Sequence, residues 1–169
     1  MKLAIDMLWS RPTPSRHKQL ATEDIVLSVL YASEGRPIRG KLVFMKTVFV
    51  AIKQVFQDYE REFGFIPYDY GPYSPRFAKT LNDLLERGLV TSRIVQISED
   101  KVRYDYSLTP SGRIQAEESY GMLSPEQANL LKTLVGRLEG LGYTDFLRYV
   151  YSRYPEYAIA SKIRAEVHG

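Results

Sequence analysis

A helix between Ser74 and Gly88 is marked more sharply than any other element of this sequence. The Ser74 hydroxyl can cap its first turn, and Pro75 at the first helical position removes an N–H that would otherwise lack a partner. Gly88 can end the helix, because glycine readily adopts the left-handed conformation found after many helices. Its apolar residues share one face: Phe77, Leu81, Leu84 and Leu85. The sequence therefore predicts a helix over about residues 75–87 that packs on one side and exposes the other.

Two further helices are predicted before it. Thr22 is a suitable N-cap for the first, which we expect to end near Gly35. The second is an apolar helix in which hydrophobic residues recur at spacings of three and four. These residues are Leu42, Met45, Phe49, Ile52, Phe56, Tyr59 and Phe63. Because a second apolar stripe widens this face, we expect the helix to be mostly buried, with Lys41, Lys46 and Lys53 on the exposed remainder.

A β-hairpin is predicted after the sharply marked helix. Residues 92–108 contain two runs of β-forming residues around a Ser98-Glu99-Asp100 turn, and the second run alternates apolar and polar positions. More helices follow, beginning at Thr109-Pro110, at Ser124-Pro125 and at Thr144, with a last short one over about 157–167. The order of three helices, a hairpin and another helix is that of a winged helix-turn-helix.

The predicted fold class is mainly α with a small β-hairpin (α+β), a winged helix-turn-helix core with a C-terminal helical extension. The expected boundaries are 1–20 for a partly flexible N-terminal arm, 21–121 for the core, and 122–169 for the helical extension packed on the core. With 169 residues and 44% hydrophobic content, the chain can bury one such core.

Composition argues against most enzyme chemistry. The chain has no cysteine, which excludes disulfides, thiolate catalysis and cysteine-based metal sites. His17 and His168 lie near the two ends, and no phosphate-cradling glycine loop occurs. We therefore expect a non-catalytic protein without metal or cofactor.

No apolar run reaches the roughly 20 residues that span a bilayer, so we expect a cytoplasmic protein with no membrane partner.

Several fragments resemble the YwgA-like family and, more distantly, the SocA-like or Panacea antitoxin domain. They are Gly40-Lys41, Lys46-Thr47-Val48-Phe49, Tyr68-Asp69-Tyr70-Gly71-Pro72-Tyr73-Ser74, Leu81 to Val90, Leu108-Thr109-x-x-Gly112, Tyr149-Val150-Tyr151, Tyr154-Pro155-Glu156-Tyr157-Ala158 and Ser161. The resemblance implies a winged-helix core with a C-terminal helical extension and carries no catalytic residue set. The Panacea relatives include antitoxins that bind and neutralise a toxin partner.

One functional hypothesis is a transcriptional regulator that binds double-stranded DNA. The candidate residues come from the third helix and from the hairpin, which would be the wing: Ser74, Arg76, Lys79, Thr80, Arg87, Arg93, Lys101 and Arg103. The balance of basic and acidic residues in these segments weakens the DNA-binding hypothesis. Residues 64–90 hold three bases and three acids, and residues 91–118 hold four bases and five acids. Such a balance is a weak electrostatic footprint for DNA.

The alternative hypothesis is a protein-interaction module: an antitoxin-like domain, an adaptor, or a homodimer held by its C-terminal helices. Tyrosine is unusually frequent, with 13 residues. We interpret Tyr68 and Tyr70 as parts of a structural turn whose rings cover the end of the long apolar helix. The candidate anchors for a partner are Tyr73, Tyr149, Tyr154 and Tyr157, because tyrosine buries a large ring while its hydroxyl stays hydrated.

Overall fold

The structure is a computed structural model that describes residues 19–159, and it is a mostly helical α+β fold with two small antiparallel sheets. The helices are α1 (Thr22–Ala32), α2 (Lys41–Gln54), α3 (Glu60–Phe63), α4 (Pro75–Glu86), α5 (Pro110–Gly121), α6 (Pro125–Glu139) and α7 (Tyr143–Arg153). The strands are β1 (Ile38–Arg39), β2 (Ile66–Tyr68), β3 (Gly71–Tyr73), β4 (Val90–Ser98) and β5 (Lys101–Leu108). Two 3₁₀ turns cover Gln57–Tyr59 and Pro155–Tyr157.

The larger sheet has the strand order β1-β5-β4, with all neighbours antiparallel. Ile94 of β4 lies opposite Tyr104 of β5, and Ile38 of β1 lies opposite Tyr106 of β5. The predicted hairpin is therefore confirmed, with strands slightly longer than the alternating pattern indicated. Since β1 contains two residues, the outer half of the β4–β5 hairpin extends beyond it.

Helix α2 lies at the centre of the hydrophobic core. Every residue from 44 to 52 is buried. The helix packs against α1 and α6, against β1 and β5 of the larger sheet, and against β3 of the smaller one. Its Phe44 ring meets Phe77 of α4 edge to face, with the ring centroids 5.2 Å apart. The prediction of a mostly buried helix is confirmed. Its exposed remainder is smaller than expected, because Lys46 is buried as well.

The prediction that this helix continues to Phe63 is wrong. It ends at Gln54, where the N–H groups of Val55 and Phe56 both donate to the Ala51 carbonyl, at 2.8 and 3.0 Å. Phe56 then leaves the helical conformation (φ −121°, ψ 47°) while its ring stays buried. Phe56 and Phe63 both reach the core, so the apolar spacing persists across a break that neither proline nor glycine marks.

The segment between α2 and α4 contains a second hairpin that the sequence pattern did not reveal. Strands β2 and β3 pair with Tyr68 opposite Gly71, and Gly71 has φ +98°. A left-handed φ of this kind strains any residue with a side chain, so glycine suits the turn. The hairpin packs on α2 through β3 and on the 3₁₀ turn at 155–157 through β2. We expected the Tyr68 and Tyr70 rings to cover the end of the long apolar helix. Both rings are exposed instead, so this expectation is not met.

The helix starts follow the predicted signals in three cases out of five. The hydroxyls of Ser74, Thr109 and Ser124 each accept an N–H from the first turn of α4, α5 and α6, at 3.0, 3.0 and 3.1 Å. Helix α1 is instead preceded by Ala21, whose N–H donates to the Asp24 carboxylate at 2.8 Å. Helix α7 begins one residue before Thr144. Thr22 and Thr144 are therefore helical residues rather than N-caps.

Helices α5 and α6 pack on the first two helices of the chain. Helix α5 lies along α1, and α6 contacts both α1 and α2. In the predicted helix at 157–167, Tyr157 ends a 3₁₀ turn and residues 158–159 form a turn. Residues 160–167 and the predicted arm up to residue 18 lie outside the described residues. Among residues 19–159, no helix is long and apolar enough to cross a membrane.

Candidate functional site

Ser74 fixes the start of α4 through two side-chain hydrogen bonds. Its side chain is fully buried; the hydroxyl accepts the Phe77 N–H at 3.0 Å and donates to the Phe63 carbonyl at 2.5 Å. These two bonds join the end of α3 to the start of α4. Ser74 was predicted to contact nucleic acid, and the structure places its hydroxyl inside the fold, where it is buried and bonded in both directions.

Thr80 faces α1 rather than solvent. Its hydroxyl donates to the Arg76 carbonyl at 2.8 Å and lies 3.2 Å from the Thr22 hydroxyl. The side chain is buried where α1 and α4 pack against each other. Thr80 is therefore the second residue of the predicted binding surface that lies inside the fold.

The basic residues of α4 and its end differ in whether they form ion pairs. Arg76 and Lys79 are exposed in its first half, and among residues 19–159 neither forms an ion pair. Arg87, just after the helix, pairs with Glu23 at 2.6 Å. Cations near a helix N-terminus oppose the helix dipole, so helix stability does not account for Arg76 and Lys79. The first half of α4 therefore presents positive charge that is available to a ligand.

The hairpin offers fewer free cations than predicted. Arg93 and Lys101 are exposed. Arg103 instead donates two hydrogen bonds to the Asp105 carboxylate, at 2.6 and 2.9 Å, and this carboxylate raises the pKa of the guanidinium. The turn carries Glu99 beside Asp100, both exposed. Two of the three predicted wing cations therefore form no ion pair within the described part of the chain, and they lie on a hairpin with an acidic tip.

One face of the outer hairpin is apolar. Ile94 and Tyr104 are cross-strand partners, and Val102 is the next residue of β5 on the same face. All three are exposed, with 61% of the Ile94 surface accessible. Exposed β-branched and aromatic side chains that neighbour each other are typical of a contact surface rather than of a solvated hairpin. We name these three residues the wing patch.

The predicted partner-binding tyrosines are half-buried and packed on α2. Tyr149 and Tyr154 both accept from the Gln54 side-chain amide, at 2.8 and 3.1 Å. The Tyr154 and Tyr157 rings meet Phe49, with centroids 5.0 and 4.6 Å apart. Tyr73 is also half-buried, 5.3 Å from the ring of Tyr68. These contacts join the C-terminal part of the chain to its core, so an interface would use only the edges of these rings.

Three separate sequence fragments meet around Gly71. A Cβ at this position would lie 2.9 Å from Tyr151 Cε1 and 3.3 Å from Lys46 Cε. The Tyr151 hydroxyl donates to the Tyr70 carbonyl at 3.1 Å. Lys46 is only 1% exposed, and burial lowers its pKa to about 8. Gly71 is therefore required by both its φ angle and its close neighbours, and Lys46 is a core residue that sequence periodicity assigned to the surface.

No protein-family model matches this chain, and no curated protein is significantly similar to it. Among residues 19–159, acidic and histidine side chains form no group of three that could hold a metal ion.

Proposed function

We propose that this protein is a non-catalytic winged helix-turn-helix protein that binds double-stranded DNA. The observation that supports the proposal is the β4–β5 hairpin that follows α1, α2 and α4 and is joined by β1, from between α1 and α2, in a sheet of order β1-β5-β4. In winged helices the last helix before the hairpin is the recognition helix, and the hairpin is the wing. Under this proposal, α4 is the recognition helix and the β4–β5 hairpin is the wing. Membership of the YwgA-like family remains a prediction.

The charge distribution on α4 suits this role. Recognition helices contact bases mainly through their N-terminal residues, and that half of α4 exposes Arg76 and Lys79, with Asn82 exposed just beyond it. Arginine can bond guanine and asparagine can bond adenine through paired hydrogen bonds. Arg93 and Lys101 on the hairpin would contact phosphate. Ser74 and Thr80 would support the helix from inside rather than touch DNA.

We expect binding of random-sequence duplex to be weak and sensitive to salt. Four free cations neutralise about four phosphates, so the log–log slope of affinity against salt should be about −3 to −4. At low salt, Arg76→Glu with Lys79→Glu should weaken binding at least ~10-fold, because two attractive contacts become repulsive. Fluorescence anisotropy with a labelled duplex measures both quantities.

The matched control for this charge reversal is Arg137→Glu with Arg153→Glu, which changes the net charge equally on exposed residues of α6 and α7. It should retain most of the affinity. An equal loss in both double variants would mean that only net charge matters. Absence of binding by the wild type at about 50 µM protein and low salt would refute the proposal.

A second candidate function is protein interaction, and the wing patch favours it. A wing that only grips phosphate has no need for an exposed Ile94, and burying such a side chain contributes about 1.5–3 kcal/mol to an association. Strand β4 is also an edge strand, whose free N–H and C=O groups can pair with another chain. A second copy of this protein would satisfy both features.

Under this second function, the wild type should sediment as a dimer at about 100 µM, and Ile94→Glu should sediment as a monomer, because a charge would be buried without a partner. Thr91→Glu adds the same charge to the same strand on its opposite face and should leave the dimer intact. A monomeric wild type would contradict self-association through the wing patch.

A further inference from the structure

A cleft with a volume of about 720 Å³ lies between the end of α1, the junction of β5 with α5, and the side of α6. Its apolar lining includes Leu30, Ala32 and Leu108. This volume lies within the range of sites that hold small organic molecules. The cleft shares no residue with the predicted DNA-binding set or with the wing patch.

Two tyrosine rings that pack against each other form part of the wall of the cleft. The centroids of Tyr31 and Tyr120 are 4.9 Å apart, with the ring planes tilted by 41°. The Tyr120 hydroxyl donates to the Ala128 carbonyl at 2.7 Å, which holds this ring in place from α6. Both rings line the cleft while remaining half-buried, so their positions are set before any ligand binds. Prepositioned aromatic walls favour a flat, apolar ligand.

Of the three cations around the cleft, two form ion pairs and one forms none with residues 19–159. Lys132 pairs with Glu34 at 3.1 Å. The Arg36 Nε atom lies 2.7 Å from Glu139 Oε2. Because the single Nε–H is donated to the Ser33 carbonyl at 2.9 Å, Arg36 and Glu139 attract each other by charge and not through this hydrogen.

The third cation is Arg113, which is exposed in the first turns of α5 and forms no ion pair within the described part of the chain. Three bases against two acids, Glu34 and Glu139, leave a net charge of +1. A guanidinium without a partner is well suited to a carboxylate, with which it forms paired hydrogen bonds.

We propose that this cleft binds a small aromatic monocarboxylate, with its ring packed against the tyrosine pair and its carboxylate on Arg113. A phosphate ester is less suitable, because it carries close to two negative charges and its second charge would find its cations already paired. The site is independent of the proposed DNA-binding function and requires no change in α4 or the hairpin.

Isothermal titration calorimetry with 1-naphthoate tests the proposal in the absence of DNA. We expect a Kd of about 0.1–1 mM, as is usual for a ligand of this size. The neutral analogue 1-naphthamide should bind about 10-fold more weakly, since it cannot form the charged bond. Inorganic phosphate up to ~10 mM should not displace naphthoate, because it lacks the ring that the cleft walls select.

Two substitutions should act in opposite directions. Arg113→Gln should weaken naphthoate binding about 10-fold. Glu34→Gln releases Lys132 from its ion pair and should tighten binding about 2–5-fold. Arg137→Gln, on the exposed side of α6 away from the cleft, is the matched control and should change nothing.

The proposal is overturned if naphthoate gives no binding heat at ~10 mM, if naphthamide binds equally well, or if phosphate displaces naphthoate. It is also overturned if Arg113→Gln and Arg137→Gln behave alike. Circular dichroism of each variant shows that the fold is retained, which is expected because these side chains are largely exposed.

Discussion

Replacing Lys46 by methionine is expected to raise the free energy of unfolding by about 3 kcal/mol at pH 7. Lys46 is almost fully buried in α2, and burial lowers its pKa from 10.5 to about 8. At pH 7 the folded protein must therefore hold an ammonium group in an unfavourable environment. Methionine keeps the unbranched chain that fills this space and carries no charge.

The stability difference between Lys46→Met and the wild type should decrease as the pH rises. Between pH 8 and 10.5 the unfolded chain holds a proton on Lys46 that the folded protein has released, so wild-type stability rises with pH through this window. Methionine does not titrate. Its advantage over lysine should therefore fall from about 3 kcal/mol at pH 7 to about half that at pH 9.5. Urea unfolding of both proteins at these two pH values measures the difference.

Lys53→Met is the matched control, two turns further along the same helix. Lys53 is ion-paired with Glu60, and the pKa of Lys53 is raised by this carboxylate and by Tyr157 despite opposing desolvation. Its substitution should be neutral or slightly destabilising, because a favourable contact is lost. A stability of Lys46→Met that equals the wild type, or a difference that does not change between pH 7 and 9.5, would show that the buried amine carries no such penalty.

Replacing Gly112 by alanine is the second large effect, with an expected loss of about 3 kcal/mol or more. A Cβ on Gly112 would lie 1.7 Å from the Leu89 carbonyl oxygen and 2.6 Å from its carbonyl carbon. Both are backbone atoms, so no side-chain rotation relieves the overlap. The Thr109 hydroxyl donates to the Gly88 carbonyl at 2.6 Å, which holds the start of α5 against this same segment.

Gly136→Ala makes the same change inside α6, where a new Cβ meets nothing within 4 Å. It should stabilise the protein by about 0.5–1 kcal/mol, because alanine is the better helix former. Thermal unfolding of the two variants should therefore shift in opposite directions. A Gly112→Ala protein as stable as the wild type would mean that α5 can move away from Leu89 without cost.

Local sequence signals predicted most of the secondary structure. The serine and threonine caps followed by proline placed the starts of α4, α5 and α6, because a cap and a fixed φ act within one turn. Alternation predicted the β4–β5 hairpin. The end of α2 was missed, because Phe56 turns away from the helix without a proline or glycine to mark the change.

Site predictions were less secure, because exposure depends on what packs against each residue. Arg76, Lys79, Arg93 and Lys101 lie at the surface as expected, while Ser74 and Thr80 are buried. The cleft beside Arg113 joins residues from α1, β5, α5 and α6, which no sequence window brings together. Alternation placed the apolar residues of β5 on one face, whereas the exposure of the wing patch depends on the shortness of β1.

The chain's local chemistry specified its helices, its hairpin and the glycines at its turns, because caps, periodicity and backbone conformation act over a few residues. Tertiary packing decided the environment of Lys46, the contact of Gly71 with Tyr151, and the free charge of Arg113. The reason is physical: burial and pairing depend on distant segments meeting in space. The sharply marked helix α4 was visible in the sequence, whereas which of its polar residues face solvent was settled by its packing on α1.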